Sequence, residues 1–184
     1  MLTTKQFYEI KEALADYRFR RGLFYENQRK GFLGNIFEEI SEYLRAENDN
    51  DRAEELCDMA IFVMNAYDFK YDNDIFLKTR EYSIYDIVKL LLDYYMYYEK
   101  GNYANITATA RINEYNLSLT IFGLERMINH LGFDFYKCLK EKIKAINSRS
   151  GQYDNGLNKW IKDKSPEAVS KWYEPDFSKC RLRA

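Results

Sequence analysis

Four acidic residues in two nearby segments have the type and spacing to bind a divalent metal ion. Glu39 and Glu42 are three positions apart, and so are Glu55 and Asp58. At about 100° per residue, side chains three apart in a helix lie on one flank, about 60° from each other. Carboxylate oxygens without imidazole or thiolate are the ligands that Mg²⁺ and Mn²⁺ prefer. The two pairs therefore predict a metal site, provided that their helices lie side by side.

Each acidic pair lies beside an apolar stripe of helical period. The stripe residues are Ile36, Ile40, Tyr43 and Leu44 in the first segment, and Leu56, Ala60, Val63, Met64 and Tyr67 in the second. Between the segments, a polar run at 47–51 favours a turn, and Asp51 with Glu54 predicts an N-cap and capping box for the second helix. We therefore predict an antiparallel helix hairpin over 32–67 that brings the four acids together.

Four convergent carboxylates repel one another. Two unit charges ~4 Å apart repel by roughly 4 kcal/mol at an effective dielectric constant near 20, so a partly buried cluster needs protons or cations. The same spacing is compatible with two solvated helix faces, where each repulsion is nearer ~1 kcal/mol. Spacing alone leaves both interpretations open.

The order of the acids adds a family resemblance. The chain reads EEISE at 38–42 and EELCD at 54–58, which resembles the EExxE and ExxD motifs of the MazG-like all-α nucleoside triphosphate pyrophosphohydrolases, a superfamily that includes the dimeric dUTPases. The resemblance implies Mg²⁺, with Mn²⁺ as the alternative, on the residues that match the family ligands. These residues are Glu39, Glu42, Glu55 and Asp58. It assigns Glu38 to water orientation or to an auxiliary ligand role.

The same resemblance implies a fold and an activity. We expect an all-α helical bundle whose central antiparallel hairpin carries the acidic metal site, and a homodimer or homotetramer. The expected activity converts a nucleoside or deoxynucleoside triphosphate to the monophosphate and pyrophosphate, by attack of water at the α-phosphate. Gln28 precedes the first motif and is a candidate to line the pocket that binds the nucleotide base. The alternatives are a non-catalytic helical interaction protein and a nucleotide-binding regulator of the same fold.

A second segment with basic residues follows the last long helical pattern. Lys144, Asn147 and Arg149 precede a loop that contains Gly151, and such side chains can close over a triphosphate. The segment loosely resembles the Lys, Asn, Arg and Gly-Tyr segment of dimeric dUTPases, although its spacing differs. We therefore predict substrate binding by these three residues, and a plain basic helix end is the alternative.

Composition restricts the broad class. The chain has 184 residues, is 46% hydrophobic and contains only two prolines and eight glycines, which favours one domain of long helices. Within that domain, 154–184 is expected to be a tail on the body or on a neighbouring subunit. A net charge of −1 gives no argument for nucleic-acid or membrane binding, and no apolar run predicts a membrane span. We expect a cytoplasmic protein with Cys57, Cys138 and Cys180 reduced, because no CxxC pair is present.

Periodicity predicts the other helices. Apolar spacing indicates helices over 5–21, 83–99 and 102–131, with a break near Asn116 as an option, and further helices capped by Asp134 and Ser165. The polar segment at 68–83 is predicted to be a connection that Ile75, Phe76 and Leu77 pin to the body.

Overall fold

A computed structural model describes residues 1–71, 81–98, 106–157 and 159–182, and in these residues the chain is mostly helical. The helices before the first strand are α1 (Thr4–Arg20), the short α2 (Tyr25–Lys30), α3 (Phe32–Arg45), α4 (Asp49–Ala66), α5 (Ile84–Tyr98), α6 (Ile106–His130) and α7 (Phe135–Ser148). They are followed by strands β1 (Gly151–Asp154) and β2 (Lys159–Lys162), the short helix α8 (Pro166–Val169) and a 3₁₀ turn (Phe177–Cys180). The predicted helical class is confirmed, and the pair of short strands is an addition to it.

Helix α4 lies at the centre of the core. It packs against its neighbour α3 and also contacts α1, α2, α6 and α7. The predicted stripe of Leu56, Ala60, Val63 and Met64 is fully buried, and Cys57 on another side of the helix is fully buried too. Because other helices surround α4, each buried polar side chain of this helix needs a hydrogen-bond or ion-pair partner.

The N-cap residue of α4 differs from the predicted one. Asn48, not Asp51, is the N-cap, and its side-chain oxygen accepts a hydrogen bond from the Asp51 backbone N–H at 3.0 Å. Asparagine caps as well as aspartate does, so the helix begins three residues earlier than predicted. Glu54 is consequently not a capping-box residue, and its carboxylate is paired with Lys142 instead.

The other predicted boundaries that lie within the described residues agree closely with the structure. Asp134 and Ser165 cap α7 and α8 as predicted, whereas α6 continues through Asn116 without a break.

The three cysteines are free and buried. The apolar residues Ile75, Phe76 and Leu77 lie outside the described residues. None of the helices in the described residues is both long enough and apolar enough to cross a membrane.

The β-hairpin after α7 replaces the loop predicted there. Its strands are antiparallel, with Gly151 opposite Lys162. A Cβ atom on Gly151 would lie 2.2 Å from the Ile161 carbonyl oxygen, so only glycine fits at this position. The Arg21 guanidinium lies 4.8 Å from the Trp160 ring and donates hydrogen bonds to the Ile146 and Arg149 carbonyls. These contacts fix the hairpin against the end of α1.

Candidate functional site

Three of the four predicted metal ligands converge. One carboxylate oxygen from each of Glu39, Glu42 and Glu55 lies within 4.8 Å of the other two. The first two come from one flank of α3, and the third comes from α4, which packs on it. Oxygens that share one Mg²⁺ or Ca²⁺ ion lie about 2.0–2.6 Å from it, and therefore up to about 5 Å from each other. The spacing of the three oxygens suits a single divalent ion.

Glu39 is the most buried member of this group, with 9% of its surface exposed. Burial, its hydrogen bond to Glu55 and the negative charge of Asp58 raise the pKa of Glu39 to about 9. Its Oε2 atom is buried and has no hydrogen-bond partner among the described residues. An unpartnered buried carboxylate oxygen is costly, and a bound cation removes that cost. The donor set therefore fits a divalent metal ion.

Glu55 shares a proton with Glu39. Burial raises the pKa of Glu55, as do the charges of Asp58 and Glu42, whereas the hydrogen bond with Glu39 opposes that rise. A protonated Glu39 thus donates to a Glu55 carboxylate. A metal ion would compete with this proton for the same oxygens.

Asp58 is adjacent to the group but has a different partner. Its carboxylate lies 2.7 Å from the Lys142 ammonium, which also contacts Glu54. Lys142 is 2% exposed; burial lowers the pKa of its ammonium, but the carboxylates of Asp58 and Glu54 outweigh that effect and raise it. The structure therefore places Asp58 beside the predicted metal site and neutralises it with a buried lysine.

A cleft of about 860 Å³ opens beside the carboxylates. Its lining combines acidic, basic, aromatic and amide side chains. The acids are Glu38, Glu39, Glu42 and Asp58; the cations are Lys30, Arg149, Lys159 and Lys162; the aromatic residues are Tyr17, Phe62 and Trp160; the amides are Asn27, Gln28, Asn35 and Asn65. One cavity thus offers oxygen ligands for a cation together with positive charges for an anion.

The predicted substrate-binding residues separate into two groups. Gln28 and Arg149 line the cleft, and the exposed Glu38 lines it beside the carboxylates. Lys144 does not line it, because residues two apart on a helix point about 200° apart and Lys142 takes the inward position on α7. The Lys144 ammonium is exposed and lies 2.5 Å from Glu141.

Asn147 also lies outside the cleft lining. Its side-chain oxygen accepts a hydrogen bond from Arg20 at 3.1 Å. This contact ties the end of α7 to the end of α1, so the structure gives Asn147 a place in the scaffold rather than in the cleft.

Several residues of the site were not predicted, among them Lys142, Trp160 and Lys162. Lys142 could have been recognised from the sequence, because it lies among the apolar positions Leu139, Ile143 and Ile146 of α7. A lysine in such an apolar stripe needs a buried acidic partner. Lys162 and Trp160 had no comparable signal, since they reach the cleft only through the β-hairpin.

Comparison with known proteins does not assign the chain to a family. No protein-family model, curated protein or solved structure matches the chain. The resemblance to the MazG-like superfamily therefore stays a prediction that rests on the acidic motifs. Function is inferred from the geometry of the carboxylates and of the cleft.

Proposed function

We propose that the protein is a Mg²⁺-dependent nucleoside triphosphate pyrophosphohydrolase, with Mn²⁺ as an alternative ion. The proposed reaction converts a nucleoside or deoxynucleoside triphosphate to the monophosphate and pyrophosphate. The observation that carries the proposal is the buried, unpartnered Glu39 oxygen within a set of three convergent carboxylates. The cations that line the same cleft support it, because a metal-bound triphosphate needs both kinds of contact.

Glu39, Glu42 and Glu55 would hold the ion. When bound, a divalent ion neutralises phosphate charge and lowers the pKa of a coordinated water. Asp58 supplies a further carboxylate once it separates from Lys142, whose ammonium keeps it beside the group. Lys142 thus positions Asp58 and limits the repulsion inside the cluster.

The other cleft residues have roles toward water and phosphate. The exposed carboxylate of Glu38 accepts a proton from the attacking water. Arg149 and Lys162 bind phosphate oxygens and offset the charge of the departing pyrophosphate. Burial lowers the pKa of Lys162, and the charge of Arg149 lowers it further. A polyphosphate between these two cations would relieve their repulsion.

A second candidate function is nucleotide binding without turnover. The Asp58–Lys142 ion pair favours it, because one of the four predicted ligands is already neutralised by the protein. Such a regulator would bind a triphosphate in the same cleft and release it unchanged. Product analysis distinguishes the two candidates.

The test is a panel of ordinary and deoxy triphosphates with Mg²⁺, in ¹⁸O-labelled water. We expect pyrophosphate release, ¹⁸O in the monophosphate, and no reaction in excess chelator, because water attacks the α-phosphorus. Release of orthophosphate in place of pyrophosphate, or label in the pyrophosphate, would contradict the proposed reaction. Binding of a triphosphate without its conversion to products would support the second candidate function, a nucleotide-binding regulator.

A further inference from the structure

Asn65 in the cleft has a side-chain amide whose orientation is fixed. The side chain is 3% exposed, and its Oδ1 atom accepts a hydrogen bond from Arg18 Nη1 at 2.8 Å. A guanidinium has only donors, so the amide oxygen must face Arg18 and the amide nitrogen must face away from it. That nitrogen has no hydrogen-bond partner in the part of the chain that the structure describes, and Asn65 lines the cleft. Its N–H groups are therefore free for a ligand.

Arg18 prevents the opposite orientation. It is 6% exposed, and its guanidinium lies 4.2 Å from the centre of the Tyr25 ring. Rotating the Asn65 amide by 180° would place N–H groups against N–H groups in a buried position, where unpaired donors are costly. Asn65 can therefore donate hydrogen bonds to the cleft but cannot accept them from it.

The position of Asn65 along α4 matches the far end of a nucleotide. Asp58, Phe62 and Asn65 all line the cleft and follow the i, i+4, i+7 spacing of one helix face. At 1.5 Å per residue, Asn65 lies about 10 Å along the axis from Asp58, which is roughly the length of an extended nucleoside monophosphate. Phe62 lies between them, where an aromatic ring can stack on a base.

We propose that Asn65 selects the base, and that the site prefers nucleotides whose base presents a carbonyl oxygen over those that present an exocyclic amino group. This inference rests on the proposed function and specifies its substrate class. A carbonyl on the base edge accepts a hydrogen bond from the Asn65 N–H. An amino group at the same place sets a donor against a donor, and both lose their hydrogen bonds on leaving water.

The test compares kcat/KM for two matched pairs, dUTP against dCTP and GTP against ATP. We expect the carbonyl base to be favoured by about tenfold or more in each pair. Asn65→Asp keeps an acceptor for Arg18 but turns the second oxygen toward the cleft, so the preference should reverse by about tenfold or more. Asn65→Ser, whose hydroxyl both donates and accepts, should bring both ratios close to one. Asn155→Asp, an exposed turn residue outside the cleft lining, should leave the ratios unchanged.

Equal ratios in the wild type and Asn65→Asp, or a wild-type preference for amino bases, would overturn the inference. A binding measurement keeps it separate from catalysis: the same four nucleotides are tested with Ca²⁺ for their shift of the melting temperature. If none is hydrolysed but carbonyl bases still give larger shifts, lost in Asn65→Asp, the base selection stands and only the hydrolase proposal fails. If no nucleotide shifts the melting temperature, both fail.

Discussion

The two sides of the cleft are built differently. We define the acidic wall as Glu39 and Glu42, which line the cleft, together with Glu55, which is outside the lining but has a carboxylate oxygen within 4.8 Å of theirs. We define the basic wall as Arg149 and Lys162, which both line the cleft. The acidic wall lies on α3 and α4, where residue spacing along regular helices sets the geometry. The basic wall lies after α7 and on β2, where contacts from distant residues set the geometry. The residues of the first wall were all predicted from local sequence, whereas Arg149 was the only residue of the second wall that was predicted.

The two walls share an electrostatic property. In the acidic wall the pKa values of Glu39 and Glu55 are raised, and in the basic wall the pKa of Lys162 is lowered. In both walls the surroundings therefore disfavour the charged form of these side chains. A bound divalent cation would stabilise the charged form of the acidic wall, and a bound polyphosphate would stabilise that of the basic wall. We therefore expect metal ion and triphosphate to bind more tightly together than separately.

The largest expected effect concerns the acidic wall. Glu42→Gln, and likewise Asp58→Asn beside the wall, should reduce Mg²⁺-dependent pyrophosphate release by roughly a hundredfold to a thousandfold, because each removes a negative charge from the proposed metal site. Circular dichroism should show unchanged helical content. Glu12→Gln, exposed on α1, is the matched control and should retain activity. Wild-type turnover in both variants would show that the site is assigned wrongly.

A smaller effect is expected from Lys142→Met. The substitution leaves the Asp58 and Glu54 carboxylates without their buried counter-ion, and breaking such a pair typically costs about 3 kcal/mol. Urea unfolding in chelator should show this loss of the free energy of unfolding, and Mg²⁺ should recover part of it through Asp58. Lys140→Met, at an exposed position of α7, is the control. Equal stability of Lys142→Met and wild type would contradict the role given to the ion pair.

The basic wall should matter less per residue. Arg149→Gln or Lys162→Gln should each lower kcat/KM by about tenfold, because several cations share the phosphate charge. Lys164→Gln, two residues beyond the strand and outside the cleft lining, should change kcat/KM little. If the basic-wall variants behave like this control, the phosphates bind elsewhere.

The last predicted effect is a pH dependence of stability. In chelator, folded Glu39 keeps a proton up to a pKa of about 9, whereas the unfolded chain releases it near the ordinary value of 4.5. Between pH 4.5 and pH 9 the unfolded state thus binds fewer protons than the folded state. The free energy of unfolding should therefore fall as the pH rises through this range, by up to about 1 kcal/mol per pH unit. Thermal melts at pH 6 and pH 9 measure this fall, and Mg²⁺ should oppose it most at pH 9.

Glu39→Gln is the control for this assignment. The variant cannot titrate at position 39, so its stability should vary less with pH, and in chelator at pH 9 it should exceed that of the wild type. An identical pH dependence of the two proteins would assign the effect to other groups.

The regular helices and the acidic wall were predictable for the same reason. The helical period placed Glu39 and Glu42 on one flank of α3, and a short polar turn placed Glu55 opposite them. Errors arose where two local choices had nearly equal energy, as for Asn48 and Asp51, which are both good N-cap residues.

The rest depended on tertiary structure. The strands Gly151–Asp154 and Lys159–Lys162 lack the alternating apolar pattern of a strand, and their hairpin depends on Arg21 contacting Trp160 across the fold. Asn65 looked like an ordinary polar residue near the end of α4, and only its bond to Arg18 gives it a fixed orientation. Long-range pairing of this kind has no signal in one sequence.

The most direct test of the account is the location of Mn²⁺ by anomalous diffraction from crystals of the metal-loaded protein. We predict an anomalous peak about 2.2 Å from carboxylate oxygens of Glu39, Glu42 and Glu55, and its loss in Glu39→Gln. Absence of a peak between α3 and α4, or a peak only at exposed acids such as Glu47, would contradict the central claim that these carboxylates form a metal site.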